Sequence, residues 1–324
     1  MEKTGLILRD IYEAEKRIQP YTVRTPLLRC GTLDEILGCE VYLKPEMLQV
    51  TGAFKMRGAA NKILSLTEGE RSRGIITSSS GNHGQACAFA GQTIGIGVTV
   101  VLPEDAPQIK INKVKAFGAK VLLGPRYYNE RMKMVKAEQE KHGYMLVHAY
   151  EDYTVMAGQG TIALEILRDC PGIETILVPV GGGGLISGIS TAIKEINPRI
   201  RVIGAQSKSS AAYVESRKLG HKVEVECLDS IADGLTCREP GNNPYPIIEK
   251  YVDDIVAVSE EDIKASVRLI ANHAKLIAEP SSCVGIAALL GGHIKIRSDE
   301  KLCFVLTSGN WDIDMIGKIF NETL

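Results

Sequence analysis

Short runs of apolar and β-branched residues alternate with helix-like stretches along almost the whole chain, and this alternation restricts the fold more than any other feature. The runs that read as strands are residues 41–44, 74–77, 98–102, 120–123, 145–148, 175–180, 201–205, 254–258 and 301–307. Helical periodicity falls between them, at 84–95, 108–118, 129–142, 158–170 and 261–276. Strands that are apolar nearly throughout and separated by helices belong to parallel sheets covered on both faces. So many strands overfill one open sheet. The expected fold class is therefore α/β and two-lobed, each lobe a mostly parallel sheet flanked by helices. A TIM barrel is the weaker alternative, because the N-terminal segment does not follow a βα repeat.

A chain of 324 residues buries enough surface for two such lobes. Its formal net charge of −1 gives no electrostatic footprint for nucleic acid or an anionic membrane surface, and 5% aromatic residues offer no base-stacking platform. The first segment reads as a helix with Ile7, Ile11, Ala14 and Ile18 on one face, Thr4 as its cap and Pro20 at its end. Charges interrupt it, so it is not a signal peptide, and no run reaches the length of a membrane span. Eight scattered cysteines lack the Cys-x-x-Cys spacing of zinc sites and read as free thiols of a reducing compartment. A cytoplasmic protein with no nucleic-acid and no membrane partner is expected.

Several junctions carry residues suited to chemistry. In Thr51-Gly52-Ala53-Phe54-Lys55-Met56-Arg57-Gly58-Ala59, Lys55 sits beside a turn of small residues. Such a lysine is either solvated surface or an amine kept out of water, neutral enough to attack a carbonyl carbon. Ser78-Ser79-Ser80-Gly81-Asn82-His83-Gly84-Gln85 runs from a strand into a helix, which makes it either a capped turn or a pocket for an anion such as a carboxylate. In Val180-Gly181-Gly182-Gly183-Gly184-Leu185, consecutive glycines let backbone amides close around one phosphate; the alternative is a packing turn. Neither a Walker loop nor the G-x-G-x-x-G spacing is present. Thr307, in Leu306-Thr307-Ser308-Gly309-Asn310, leaves a strand where α/β proteins face their ligands, and its hydroxyl suits a heterocyclic nitrogen. Glu279 and Asp233 are site carboxylates or capping residues. An amine, a carboxylate pocket, a phosphate cup and a ring-nitrogen partner are together satisfied by pyridoxal 5'-phosphate acting on an amino acid.

These segments resemble the threonine/serine dehydratase and serine racemase family of pyridoxal-phosphate enzymes, of fold type II (tryptophan synthase β-like). Ala53-Phe54-Lys55-Met56-Arg57-Gly58-Ala59 is similar to its Ser-Phe-Lys-Ile-Arg-Gly-Ala, and Ser79-Ser80-Gly81-Asn82-His83-Gly84-Gln85 to its asparagine loop. Gly181, Gly182, Gly183 and Gly184 match its tetraglycine loop. Ala157-Gly158-Gln159-Gly160-Thr161, Ile231-Ala232-Asp233-Gly234 and Glu279-Pro280 follow in family order. The resemblance implies a large cofactor-binding domain of residues 1–70 and 152–324, with a small mobile substrate-binding domain of 71–151. It implies that Lys55 carries the cofactor as a Schiff base and then abstracts the Cα proton, and that Ser80 is the second acid/base. Phe54, Asn82, the four glycines, Glu279 and Thr307 would contact the cofactor. Ser79, Ser80, Asn82, His83 and Asp233 would contact the substrate. A homodimer or homotetramer is implied too.

Three positions depart from the family pattern. Where many members hold a divalent cation with acidic residues, this chain has Gln206, Ser210 and Ala212, so no metal site is expected. Tyr150 replaces the asparagine common in racemases and the phenylalanine common in threonine dehydratases; its ring leans toward dehydratase. Thr307-Ser308 replaces Ser-Gly, which leaves either hydroxyl able to reach the ring. The expected activity is an ammonia-lyase that converts L-threonine, L-serine or a related β-hydroxy amino acid to a 2-oxo acid and ammonia. The alternatives are an amino-acid racemase, a dehydratase for an unusual β-hydroxy amino acid as in hydroxyectoine catabolism, a β-replacement synthase, and a silent amino-acid-binding protein. The chain ends soon after Thr307, so no C-terminal regulatory domain is expected.

Overall fold

The computed structural model describes residues 5–79, 81–106, 108–126 and 128–321. The expected cap Thr4 and the expected acid/base Ser80 lie outside the described residues. Among the described residues, ten strands form two sheets. They are β1 (Leu28–Arg29), β2 (Glu40–Pro45), β3 (Ile75–Ser78), β4 (Val98–Pro103), β5 (Lys120–Gly124), β6 (Met145–Leu146), β7 (Thr175–Pro179), β8 (Arg201–Ser207), β9 (Asp254–Val258) and β10 (Lys301–Leu306). The six-stranded sheet has the order β1-β2-β10-β7-β8-β9, and the four-stranded sheet β5-β4-β3-β6. All pairs are parallel except β1 with β2.

The apolar strands are what this topology demands. One core beside the larger sheet joins Val178 and Val202 to helices Leu8–Ile18, Tyr153–Asp169 and Gly184–Ile196. The other joins Leu43, Leu177 and Phe304 to helices Glu260–Leu269 and Pro280–Leu290. With both faces covered, each strand position is apolar, so the sequence shows runs in place of alternation. The core of the smaller sheet extends to Met56, Ala59, Ala60 and Ile63 of helix Lys55–Ser65 and to Val155.

Local differences from the sequence expectation have local causes. Strand β1 has two residues, too short for a periodic signal. The strand expected at 145–148 ends at Leu146, because the His148 Nδ1 accepts the N–H groups of Tyr150 and Glu151 and turns the chain. The helix expected from residue 158 begins at Tyr153, capped by Asp152, whose carboxylate accepts from Thr154 N at 2.7 Å. The first helix buries Ile11, Ala14 and Ile18, but Ile7 precedes it and is exposed. The helix at 260 leaves α geometry after Leu269 for a π turn, Ile270–Ala274, and Lys275 follows at φ 58°.

Below the junction of the lobes lies a buried ion network. Arg57 donates to Glu46 at 2.7 and 2.8 Å and to Glu165 at 2.7 and 2.9 Å, and Lys44 Nζ meets Glu165 at 2.5 Å. Burial opposes the charge on Arg57, but Glu46 and Glu165 outweigh it and raise its pKa above the ordinary value. Two cations face two anions, so no net charge is buried. Because Arg57 lies on the first turn of helix Lys55–Ser65, the network fixes the helix end that carries Lys55.

Candidate active site

The junctions singled out in the sequence converge on one cavity of about 780 Å³ between the sheets. Strand β3 delivers Ser79 and Asn82, β7 delivers the glycine turn, and β10 delivers Thr307, each just past a strand's carboxyl end. Lys55 begins its helix immediately after a turn whose Phe54 N–H donates to Thr307 O at 3.0 Å; Ala53 forms a bridge with Ser308. The lysine is therefore registered against the end of β10.

Lys55 opens on the cavity, and its Nζ donates to Ala149 O at 3.0 Å. Among the described residues no carboxylate pairs with it; burial holds its pKa down at about 8. The Phe54 ring lies with its centroid 4.9 Å from Nζ. A partly neutral amine facing a cavity of this size is the chemical requirement for attack on a carbonyl carbon.

Asn82 is the first residue of helix Asn82–Ile94. Its Nδ2 donates to Glu279 at 3.1 Å, and its Oδ1 accepts from Asn310 Nδ2 at 2.9 Å. Burial raises the pKa of Glu279 although Asn82, Ser308 and the Asn310 N–H counteract it. Ser79 Oγ accepts the Gly81 N–H at 3.2 Å and stays within its own turn. His83 lines the cavity, but its ring is buried and its Nε2 lies 2.9 Å from Val147 O. Burial, and then the Lys55 charge, push it down to about 3, so the ring is neutral. Since a carbonyl can only accept, Nε2 carries the proton and Nδ1 is left as a lone pair without a partner among the described residues. Asp233 is exposed at the cavity wall, where its charge raises the Glu279 pKa further.

Three of the four glycines of the turn leave no room for a side chain. A Cβ on Gly182 would stand 2.4 Å from the Tyr150 ring, one on Gly183 2.2 Å from the Tyr213 hydroxyl, and one on Gly184 2.9 Å from Tyr150 Cα. Gly183, at φ 94°, caps helix Gly184–Ile196, so the turn presents backbone amides at a helix N-terminus. Thr307 is buried, with its hydroxyl 2.9 Å from Ser282 Oγ. Ser282 Oγ donates to Ser308 O and accepts the Ser308 N–H, both at 2.9 Å. Its one proton is used there, so Thr307 is the donor in the pair.

An amine, a side-chain-free phosphate cup and a buried hydroxyl lining one cavity fit pyridoxal phosphate. The sequence reading gave no role to Asn310, Ser282, Gln206 or Tyr213. Asn310 stands in the Thr307 motif, and Gln206 had drawn notice only as a departure from the family's cation ligands. Among the described residues no group of His, Cys, Asp and Glu is placed to hold a metal ion, and no helix is long and apolar enough to cross a membrane.

Residues 18–308 match the family described as pyridoxal-phosphate dependent enzymes. The chain is 43% identical over 319 residues to an L-threonine ammonia-lyase of Thermotoga maritima, covering 98% of this chain and 79% of that protein. It is 40% identical over 320 residues to a catabolic L-threonine dehydratase of Staphylococcus aureus, covering 98% and 92%. The solved structure of a serine racemase from Dictyostelium discoideum superimposes with a TM-score of 0.90 at 39% identity, over 95% of this chain and 99% of that one.

Proposed function

Because the chain belongs to the family of pyridoxal-phosphate dependent enzymes, we propose that it is an ammonia-lyase converting L-threonine, L-serine or a related β-hydroxy amino acid to a 2-oxo acid and ammonia. The observation that carries this reading is the identity with the threonine ammonia-lyase and the threonine dehydratase, across a chain that keeps Lys55 half-buried at the cavity wall. Retention of that amine also speaks against a silent binding protein, for which no nucleophile is needed.

When bound, pyridoxal phosphate supplies the electron sink for breaking the Cα–H and Cβ–O bonds. Lys55 would hold the cofactor through its amine and, once free, would take the Cα proton at Nζ. Gly181, Gly182, Gly183 and Gly184 hold the phosphate with backbone amides. Thr307 places a neutral hydroxyl toward the ring nitrogen; its proton, turned from Ser282 Oγ, would be donated there, and such a partner leaves that nitrogen largely unprotonated. Phe54 packs beside the cofactor, while Asn82, oriented by Glu279 and Asn310, contacts its phenolic oxygen. Ser79, Asn82 and the backbone of the Asn82-His83 turn receive the substrate carboxylate at the start of a helix, where an anion is favoured. Asp233 stands at the mouth on the substrate side. Ser80 is assigned as the second acid/base on the resemblance alone.

Residues 71–151 form the small substrate-binding domain in this reading, mobile against the rest. The four-stranded sheet built from 75–146 supports that division. A homodimer or homotetramer and a cytoplasmic location complete the proposal, the latter supported by eight cysteines without a disulfide.

A racemase is the second reading, favoured by the superposition on the serine racemase. One experiment separates the two. The purified protein is incubated with L-threonine, L-serine and other β-hydroxy amino acids, and 2-oxo acid and enantiomer are measured together. Oxo acid from any of them supports the lyase; racemised amino acid without oxo acid overturns it.

A further inference from the structure

The glycine turn has no side chains of its own, so its shape comes from its neighbours. Tyr213, fully buried, donates its hydroxyl to Gly182 O at 3.0 Å and accepts the Gly241 N–H at 3.1 Å. The Tyr213 N–H in turn donates to Gln206 Oε1 at 3.0 Å, joined by the Val214 N–H at 3.2 Å. At its other end Gln206 Nε2 donates to Val180 O and Ser210 O, each at 3.4 Å. The buried amide thus uses both donors and both acceptor positions within the protein.

Two carbonyls of the turn, Val180 and Gly182, are therefore gripped from one side. In a trans peptide the C=O and the following N–H point in opposite directions. Pinning Val180 O and Gly182 O consequently turns the Gly181 and Gly183 N–H groups away from the brace. Without these contacts, a run of glycines samples many conformations, and the amides lose their common direction.

We propose that Gln206 and Tyr213 are positioning residues that pre-set the amides of the glycine turn for the cofactor's phosphate. This rests on the reading of that turn as the phosphate cup. The brace acts through the phosphate alone, so it affects pyridoxal phosphate and leaves pyridoxal, which lacks that group, nearly untouched.

The test is a comparison of the affinities of cofactor-stripped protein for pyridoxal phosphate and for pyridoxal, followed by absorbance of the bound ring. Tyr213→Phe keeps the ring in place and removes the hydroxyl. We expect its affinity for pyridoxal phosphate to fall about three- to tenfold, the range spanned by one hydrogen bond, with pyridoxal changed by less than about twofold. Equal weakening of both ligands, or no weakening of either, would overturn the brace. A parent protein that binds the two ligands equally would instead overturn the phosphate assignment, and the brace with it. If Tyr213→Phe does not accumulate as folded protein, Gln206→Glu carries the same test. It keeps the acceptors for Tyr213 and Val214 but faces two carbonyls without a donor, and is measured with a chelator present so that no divalent cation replaces the missing proton. The same selective loss supports the brace, and its absence overturns it.

Discussion

Asn310 reaches across to Asn82 and takes its side-chain oxygen, Nδ2 to Oδ1 at 2.9 Å, so Asn82 Nδ2 is left facing Glu279. Asn310 is itself anchored by Nδ2 to Thr51 O at 2.6 Å and by its N–H to Glu279 at 2.7 Å. The last residue of the Thr307 motif therefore sets the orientation of the residue that opens helix Asn82–Ile94.

Asn310→Ala removes that restraint and leaves Asn82 free to rotate. Loss of one oriented hydrogen bond predicts about a tenfold fall in kcat/KM on the best β-hydroxy amino acid substrate. Asn310→Asp keeps the size but cannot donate, and places a carboxylate beside Asn82 Oδ1; it is expected to fall at least as far. Steady-state kinetics of the two variants checks the pair, and an unchanged kcat/KM in both would remove Asn310 from the site.

Arg57 stabilises the helix start from beneath. Arg57→Met leaves Glu46 and Glu165 buried, with Lys44 as the remaining cation of the network. Breaking a buried pair in this way predicts a loss of about 3–5 kcal/mol of stability. Urea unfolding of the variant measures it. Replacing the network as a whole by apolar residues is expected to cost far less, because no charge would then be left without a partner.

Much of this frame was legible in the sequence because strands such as β7 and β10 are buried on both faces and read as unbroken apolar runs. The site junctions were legible too, since glycine turns and a lysine after a small-residue turn mark strand exits. What stayed hidden depends on distant partners. Asn82 and Asn310 are 228 positions apart, and nothing local to Tyr213 announces that its hydroxyl meets Gly182. Ser282 lies within a buried apolar helix and acquires meaning only when β10 brings Thr307 beside it. His83 shows the converse: its position in the loop suggested contact with substrate, whereas its ring turns to Val147 O.

Lys55 ties stability to pH. Burial holds its pKa at about 8 in the folded chain, against an ordinary value of 10.5. The unfolded chain therefore binds the proton more tightly, and below pH 8 folding carries the full cost of releasing it or burying the charge. That cost is relieved as pH rises from about 8 toward 10.5. In that window cofactor-stripped protein should gain stability relative to Lys55→Met by up to about 1.4 kcal/mol per pH unit. Parallel urea titrations of the two proteins across the window measure the difference. Parallel curves with no change of gap would show that the amine is not held out of water. Lys55→Met should also lose the visible absorbance of bound cofactor together with activity.

Gly182 tests the cup through a second neighbour, Tyr150. A methyl group there would lie 2.4 to 2.6 Å from Tyr150 ring atoms, well inside contact distance, so either the ring or the turn must move. Tyr150 has little room to yield, since its ring packs edge-on against His148 at a centroid separation of 4.7 Å. Overpacking of this kind costs about 1–3 kcal/mol, and the strain falls on the turn that receives the phosphate. Gly182→Ala is therefore expected to weaken cofactor binding about tenfold or more, read as cofactor retained after dialysis. The double variant Gly182→Ala with Tyr150→Ala opens space for the methyl group and should recover part of that retention. No recovery would mean that the backbone of the turn, and not the Tyr150 ring, is what excludes the side chain.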